Sequence, residues 1–227
     1  SFYGDFRNEI EKKKGKNELE KIQGFTKFVP NPGSMTRSIV EHYIDQSMKK
    51  MNVDVIDVIQ FHWWDYNDAN YIDALHELTN LRDNGKISHL ALTNFDTERM
   101  QVMVDDGIQL VSNQVQYSII DQRPNVKMAS FCKNHDMKIL AYGTLLGGLL
   151  TENYLGVPKP TQADLDTYSL QKYMNMIDAW GGWNLFQELL VVLDEIAKKY
   201  NVQIPNVATR FILDKPSVAG TIIGSRL

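Results

Sequence analysis

Six short segments predicted to be strands alternate with helical segments along the 227 residues, and this alternation restricts the possible folds more than any other feature. The predicted strands lie at residues 22–28, 55–61, 87–92, 110–116, 137–142 and 218–223. Apolar residues at helical spacing mark the segments between them, most clearly at 185–200. Strands that alternate with helices predict an α/β fold built on a parallel sheet.

The predicted strand at 55–61 is followed directly by a titratable residue and two large aromatic residues. Its near-continuous apolar run is typical of a strand covered on both faces. His62 follows at the carboxyl end, where α/β barrels have their active sites. Trp63 and Trp64 come next and suit the wall of a pocket. This segment alone leaves a second interpretation open, in which His62 is a core histidine and both tryptophans only pack.

All six predicted strands end in polar residues or glycine. In chain order these residues are Lys27, His62, Thr93 with Asn94, Asn113 with Gln114, Tyr142 with Gly143, and Gly224 with Ser225. Polar groups at every strand end favour a (β/α)8 barrel, in which all the loops after the strands face one site. The alternative is a doubly wound sheet, which normally has a GxGxxG turn after its first strand. The sequence has no such turn.

Composition excludes several classes of function. The net charge of −4 argues against a nucleic-acid partner, which would require a basic face. A single cysteine, Cys132, excludes an internal disulfide, and the five histidines show no zinc-binding spacing. No apolar run reaches the roughly 18 residues that span a bilayer. We therefore expect a soluble intracellular protein, cytoplasmic or organellar, that binds neither nucleic acid nor membrane; its oligomeric state is not indicated.

Six motifs at the predicted strand ends resemble, in order, those of the aldo-keto reductases. They are GFTK at 24–27, IDVIQFHW at 56–63, ALTNF at 91–95, SNQVQYS at 112–118, LAYGTLLGGLLT at 140–151 and TIIGSR at 221–226. The sequence is especially similar to a plant- and alga-type branch, in which QFHWWDY, LTNFDTER and AWGGWNLFQ recur. The resemblance implies a (β/α)8-barrel oxidoreductase that uses NADP(H) to reduce an aldehyde or ketone.

The resemblance assigns catalysis to an Asp, a Tyr, a Lys and a His. Lys27 and His62 match the last two, and Trp63 and Trp64 would help to wall the substrate pocket. The family's D-x-x-x-x-Y-G segment, which supplies the Asp and the Tyr, has no match in the sequence. Tyr3 with Gly4 resembles the family's second, non-catalytic aromatic–glycine pair. Without the resemblance, Lys27 would be interpreted as a solvated lysine at a strand end.

The resemblance also implies a cofactor site. Thr93, Asn94 and Gln114 would hold the nicotinamide carboxamide, although buried amides satisfied by the protein are an alternative for the last two. The other implied contacts are Tyr142 for stacking on the nicotinamide ring, Gly143, Thr144, Leu145 and Gly147 for the pyrophosphate, and Gly224, Ser225 and Arg226 for phosphate. Arg226 would select NADP(H) through its 2′-phosphate. Ser225 and Arg226 are alternatively a solvated chain end.

Only about six of the eight strands of such a barrel are visible. We therefore expect residues 1–227 to be one barrel domain truncated at both ends, and inactive by itself because the proton-donating tyrosine is missing. The alternative function is a non-catalytic, NADP(H)-binding regulatory or redox-sensing barrel. A metal-dependent hydrolase using His62 and Asp65 is less favoured, because the other strand ends carry Lys, Asn, Gln and Tyr instead of further metal ligands.

Overall fold

The computed structural model describes residues 2–224, in which parallel strands and helices alternate as the sequence predicts. The strands are β1 (Phe25–Phe28), β2 (Ile56–Phe61), β3 (Ile87–Thr93), β4 (Ser112–Gln116), β5 (Lys138–Tyr142) and β6 (Val218–Ile222). The helices are α1 (Phe2–Lys14), α2 (Lys16–Leu19), α3 (Arg37–Met51), α4 (Tyr71–Asp83), α5 (Thr97–Asp105), α6 (Met128–Asn134), α7 (Tyr168–Trp180), α8 (Gly182–Tyr200) and α9 (Ile204–Leu213). The chain divides into two compact units, Ser1–Gln114 and Val115–Leu227. This architecture confirms the predicted α/β class.

The first unit contains β1, β2, β3 and the start of β4, which are neighbours in that order. Lys27 is paired with Gln60 across β1 and β2, and Gln60 with Ala91 across β2 and β3. Thr93 is paired with Gln114 across β3 and β4. Side chains at paired positions, and at positions two apart on a strand, point to the same face of a sheet. One face of this unit therefore carries a row of polar side chains.

The opposite face of the first unit is apolar and fixes the position of the strands. The rings of Phe28 and Phe61 stack with centroids 5.6 Å apart, and Phe61 stacks on Phe95 at 5.7 Å. The ring of Tyr43 from α3 meets Phe28 edge-on at 5.5 Å. Because side chains alternate along a strand, burying these aromatic rings directs Lys27 to the polar face.

The second unit contains the end of β4 followed by β5 and β6, which are again neighbours in that order. Helices α7, α8 and α9 supply most of its buried core, which includes Ile177, Phe186, Leu190 and Ala208. Gly181 joins the end of α7 at Trp180 to the start of α8 at Gly182. Trp183 packs against Phe186 with ring centroids 5.3 Å apart, and its Nε1 donates a hydrogen bond to the Val157 carbonyl at 3.1 Å.

Several predicted boundaries were wrong by a few residues. Strand β1 begins at Phe25 instead of residue 22, because the backbone N–H of Ile22 is used in a turn, where it donates to the Leu19 carbonyl at 3.1 Å. Strand β4 begins at Ser112 instead of residue 110, and a 3₁₀ turn at Arg123–Asn125 precedes α6. Among residues 2–224, no helix is long and apolar enough to traverse a bilayer, and no cluster of potential metal ligands occurs.

Candidate functional site

Lys27 and His62 lie at the carboxyl ends of neighbouring strands in the first unit. The backbone N–H of His62 donates to the Phe28 carbonyl at 3.0 Å, which fixes the residue after β2 to the end of β1. Burial and, after it, the positive charge of Lys27 lower the pKa of His62. The structure therefore brings together the two residues that the sequence singled out for catalysis.

Partial burial sets the protonation of this pair. Burial lowers the pKa of Lys27 below its ordinary value, although the side chain keeps access to solvent. Burial is also the larger cause of the lowered pKa of His62, and the charge of Lys27 adds to it. His62 is consequently a neutral imidazole at neutral pH, with one nitrogen that donates and one that accepts hydrogen bonds.

The two tryptophans after His62 have different surroundings. Trp64 is 65% exposed, and its ring lies 4.4 Å from that of His62, centroid to centroid. Trp63 is only 1% exposed, and its Nε1 donates to the Asp68 carbonyl at 2.9 Å. Trp64 is therefore accessible to a ligand beside His62, whereas Trp63 is buried with its indole N–H already paired, which favours the packing interpretation over contact with a substrate.

Three buried polar side chains on the polar face of the first unit have an atom without a hydrogen-bond partner among the described residues. The atoms are Nε2 of Gln60, Oγ1 of Thr93 and Oε1 of Gln114. Leaving such a group buried and unpaired costs about 1–3 kcal/mol. Thr93 and Gln114 are predicted to hold a cofactor amide. The Thr93 hydroxyl and the Gln114 amide oxygen, which accepts hydrogen bonds, are available to such a group.

Asn94 follows Thr93 in the left-handed backbone conformation, with φ of 64°. Asparagine adopts this conformation more readily than most residues. Its backbone N–H donates to the Gln114 carbonyl at 2.9 Å, and its own carbonyl accepts from the Tyr66 hydroxyl at 2.9 Å. These bonds fix the backbone after β3, and the Asn94 side chain is exposed at the strand end.

In the second unit, the residues predicted to contact a pyrophosphate line one cavity of about 480 Å³. Its lining residues are Gly143, Thr144, Leu145, Gly147, Gly148, Thr167, Ser169, Tyr173, Ile222, Ile223 and Gly224. The Thr144 hydroxyl donates to the Tyr117 carbonyl at 3.2 Å and so anchors the glycine-rich loop after β5. Thr167, Ser169 and Tyr173 were not predicted from the sequence. Thr167 caps α7 and the other two lie on that helix, after a long irregular segment without a motif.

Tyr142 ends β5 immediately before this loop. The ammonium nitrogen of Lys172 lies 5.1 Å from the centroid of its ring and 4.8 Å from that of Tyr173. These distances are typical of cation–π contacts. Stacking of a nicotinamide on Tyr142 stays a prediction, and so do the contacts of Ser225 and Arg226, which lie outside the described residues.

Gly143 is the residue of this loop for which a side chain is least compatible with the structure. Its φ is +71°, and a Cβ there would lie 2.6 Å from the Tyr173 hydroxyl. We expect Gly143→Ala to lower the free energy of unfolding by more than the roughly 1–2 kcal/mol of a left-handed backbone alone, in urea denaturation. Gly156→Ala is the matched control, because Gly156 has φ of +73° with no atom within 4 Å of its Cβ position. Equal losses in the two variants would contradict the predicted clash.

Tyr3 lies away from Lys27. A Cβ on Gly24 would come within 2.5 Å of the Tyr3 hydroxyl, so this hydroxyl sits beside the residue that precedes β1. Lys27 is three positions further along, which corresponds to about 10 Å in a strand. The position of Tyr3 at the amino end of β1 agrees with its interpretation as a non-catalytic residue.

Solved structures of low sequence identity share the fold. The chain aligns with a glycerol dehydrogenase from Gluconobacter oxydans with a TM-score of 0.72 and 20% identity, covering 96% of this chain and 66% of that one. It aligns with an aldo/keto reductase from Klebsiella pneumoniae, solved with NADP and acetate, with a TM-score of 0.68 and 16% identity, covering 98% and 65%. These likenesses support the predicted barrel-type architecture.

Curated proteins are also similar in sequence. Flagellar radial spoke protein 5 of Chlamydomonas reinhardtii is 27% identical over 93% of this chain and 46% of its own length. The chloroplastic pyridoxal reductase of Arabidopsis thaliana is 24% identical over 95% of this chain and 57% of its own length. The chain thus spans about half the length of these relatives. The family model described as the aldo/keto reductase family matches residues 2–227, and the chain therefore belongs to that family.

Proposed function

We propose that the protein reduces an aldehyde or ketone to an alcohol with NADPH. The observation that carries this proposal is that Lys27 and His62 lie at adjacent strand ends, where the His62 backbone N–H donates to the Phe28 carbonyl. They border a face on which Thr93 and Gln114 offer buried, unpaired polar atoms. Such a site can bind a polar ligand and act on an oxygen that becomes negatively charged.

Four residues of the first unit have distinct roles in this proposal. NADPH supplies the hydride. The carbonyl oxygen becomes negatively charged in the reaction and requires a proton. His62 orients the carbonyl by a hydrogen bond, and Lys27 lowers the pKa of the proton-donating group through its positive charge. Trp64 borders the substrate beside His62, and Trp63 stays a predicted part of the pocket wall.

Residues of each unit, taken separately, suit polar groups of this cofactor. Thr93, Asn94 and Gln114 would hold the carboxamide. The glycine-rich loop at 143–148 offers backbone N–H groups to a pyrophosphate, in a cavity that Gly224 also lines. We assign Tyr142 to the nicotinamide ring. The preference for NADP(H) over NAD(H) depends on Ser225 and Arg226, and the NADP in the Klebsiella relative supports it.

We further propose that residues 1–227 belong to one barrel domain. The family model matches residues 2–227, a range that includes residues of both units, which supports this assignment. We also propose that this span does not turn over substrate by itself, because no residue in it matches the family's proton-donating tyrosine.

A regulatory or structural NADP(H)-binding protein is the second candidate. The observation in its favour is the similarity to a protein named for the flagellar radial spoke, at 27% identity over 93% of the chain. Such a protein would keep the cofactor contacts and would bind NADPH without reducing a carbonyl compound.

The experiment that tests the proposal measures NADPH binding and aldehyde-dependent NADPH oxidation by the full-length protein. In His62→Ala we expect kcat/KM to fall about 10²-fold through lost orientation of the carbonyl, with the Kd for NADPH within about twofold. His76→Ala is the control, because His76 lies on α4 and contacts Asp106 at 2.7 Å. Binding without turnover on a broad aldehyde panel would favour the regulatory candidate, and no NADPH binding would overturn both.

A further inference from the structure

Gln60 is a buried polar residue to which no role has been assigned. It lies on β2 and is 3% exposed, and its amide nitrogen has no hydrogen-bond partner among the described residues. Its paired neighbours are Lys27 on β1 and Ala91 on β3. A lysine ammonium only donates hydrogen bonds, and an alanine side chain forms none. The side chains on either side of Gln60 therefore cannot accept from it.

The chemistry of the missing partner follows from the atom left unpaired. An amide nitrogen is a donor only, so its complement is an acceptor such as an oxygen. Thr93, two positions beyond Ala91, and its paired neighbour Gln114 point to the same face and also carry unpaired atoms. Such polar atoms are normally paired in folded proteins. A row of them on adjacent strands marks a surface that is completed by a ligand.

We infer that Gln60 is a substrate-binding residue whose amide nitrogen donates a hydrogen bond to the oxygen of the carbonyl substrate. This inference rests on the proposed reductase function and specifies one of its contacts. The substrate oxygen becomes more negative as the carbonyl is reduced. A buried donor that is already in place stabilises such a charge more strongly than water does. The Gln60 amide and the Lys27 ammonium beside it thus both stabilise negative charge on the substrate oxygen.

The variant Gln60→Leu distinguishes a substrate-binding role of Gln60 from a purely structural one. An unpaired buried donor destabilises the folded protein, so replacing it by an apolar residue of similar size is neutral or stabilising. Gln60→Leu should therefore lower activity while the melting temperature stays the same or rises. If Gln60 instead stabilised the fold, Gln60→Leu would lower both the activity and the melting temperature.

The experiment compares the full-length protein with Gln60→Leu and with the control Gln101→Leu, because Gln101 is a partly exposed α5 residue whose side chain donates to Asp105. With butanal and NADPH, we expect Gln60→Leu to lower kcat at least tenfold with a smaller change in KM. We expect the Kd for NADPH to stay within about twofold, because the contact is made to the substrate. A kcat within twofold of wild type, or a melting temperature several degrees lower, would overturn the inference.

Binding of butyrate to the NADP⁺-loaded protein provides a test that does not require turnover. A carboxylate presents charged acceptor oxygens, and Trp64 beside His62 supplies a fluorescence signal. We expect Gln60→Leu to weaken butyrate binding at least tenfold. Equal affinities in both proteins, or no butyrate binding by the wild type, would overturn the inference. Gln60-dependent butyrate binding without aldehyde turnover would reject the reductase function and leave the assignment of Gln60 as an oxygen-binding residue intact.

Discussion

Replacing Lys27 by methionine is expected to lower kcat of the full-length protein about 10³-fold, an effect within the usual range for groups that assist proton transfer. Methionine keeps an unbranched chain of similar length and removes the ammonium group, with its charge and its N–H donors. Without that charge, the proton donor returns to a higher pKa and transfers its proton less readily. The measurement is steady-state NADPH oxidation with butanal, accompanied by NADPH titration to show that the cofactor still binds.

The stability of Lys27→Met distinguishes lost chemistry from lost structure. Partial burial lowers the pKa of Lys27, so the folded protein holds this proton less tightly than the unfolded chain does. Between the folded pKa and the ordinary value of 10.5, the unfolded chain binds more protons and the stability rises with pH. The variant has no charge at this position to bury, so its stability should lack this increase with pH. Urea denaturation at pH 7 should show the variant to be at least as stable as wild type.

The control for this prediction is Lys133→Met, which removes an exposed charge near the end of α6. It should leave kcat unchanged. A Lys27→Met variant that keeps wild-type kcat would reject the assignment of Lys27 to catalysis. A variant that loses activity and also unfolds at lower urea concentration would indicate a structural role instead.

Replacing Trp63 by alanine is expected to reduce the free energy of unfolding by about 3–5 kcal/mol, the usual loss for a large buried aromatic residue. Its side chain is 1% exposed, its ring lies 5.8 Å from that of Phe61, and its indole N–H is bonded to the Asp68 carbonyl. Alanine leaves a cavity and an unpaired carbonyl. Urea denaturation followed by circular dichroism measures the loss.

Trp64→Ala is the matched control, since the neighbouring tryptophan is 65% exposed. We expect a small change in stability, of about 1 kcal/mol or less, because little apolar area is recovered from solvent. Its effect should appear instead in KM, where the ring borders the substrate beside His62. A stable Trp63→Ala variant with a raised KM would instead support the original prediction that Trp63 walls the pocket.

The sequence predicted β2 well because apolar residues predominate in it, and the burial of residues such as Ile59 follows from that pattern. The sequence could not show which of Trp63 and Trp64 is buried. Both are tryptophans in one loop, and which of them is buried depends on Phe61 and Asp68. Gln60 was likewise hidden inside an apolar run. Only the register, which places Lys27 and Ala91 beside it, shows that its amide lacks an acceptor.

The cavity of the second unit shows a different limit of sequence reasoning. The glycine-rich loop was recognised because its residues are adjacent in the chain and form a motif. Thr167 and Tyr173 line the same cavity but follow a segment whose path depends on distant contacts, such as the bond between the Gly156 N–H and the Gln187 side chain. Local patterns do not specify such contacts.

The stacked rings of Phe28, Phe61 and Phe95 have a consequence for motion. They join the ends of β1 and β2 to the loop after β3, with interplanar angles of 26° and 29°. Local opening occurs in cooperative segments, and shared buried contacts define their limits. The three strand ends should therefore open and close together, so that amide hydrogens around Lys27 and His62 exchange with solvent as one group.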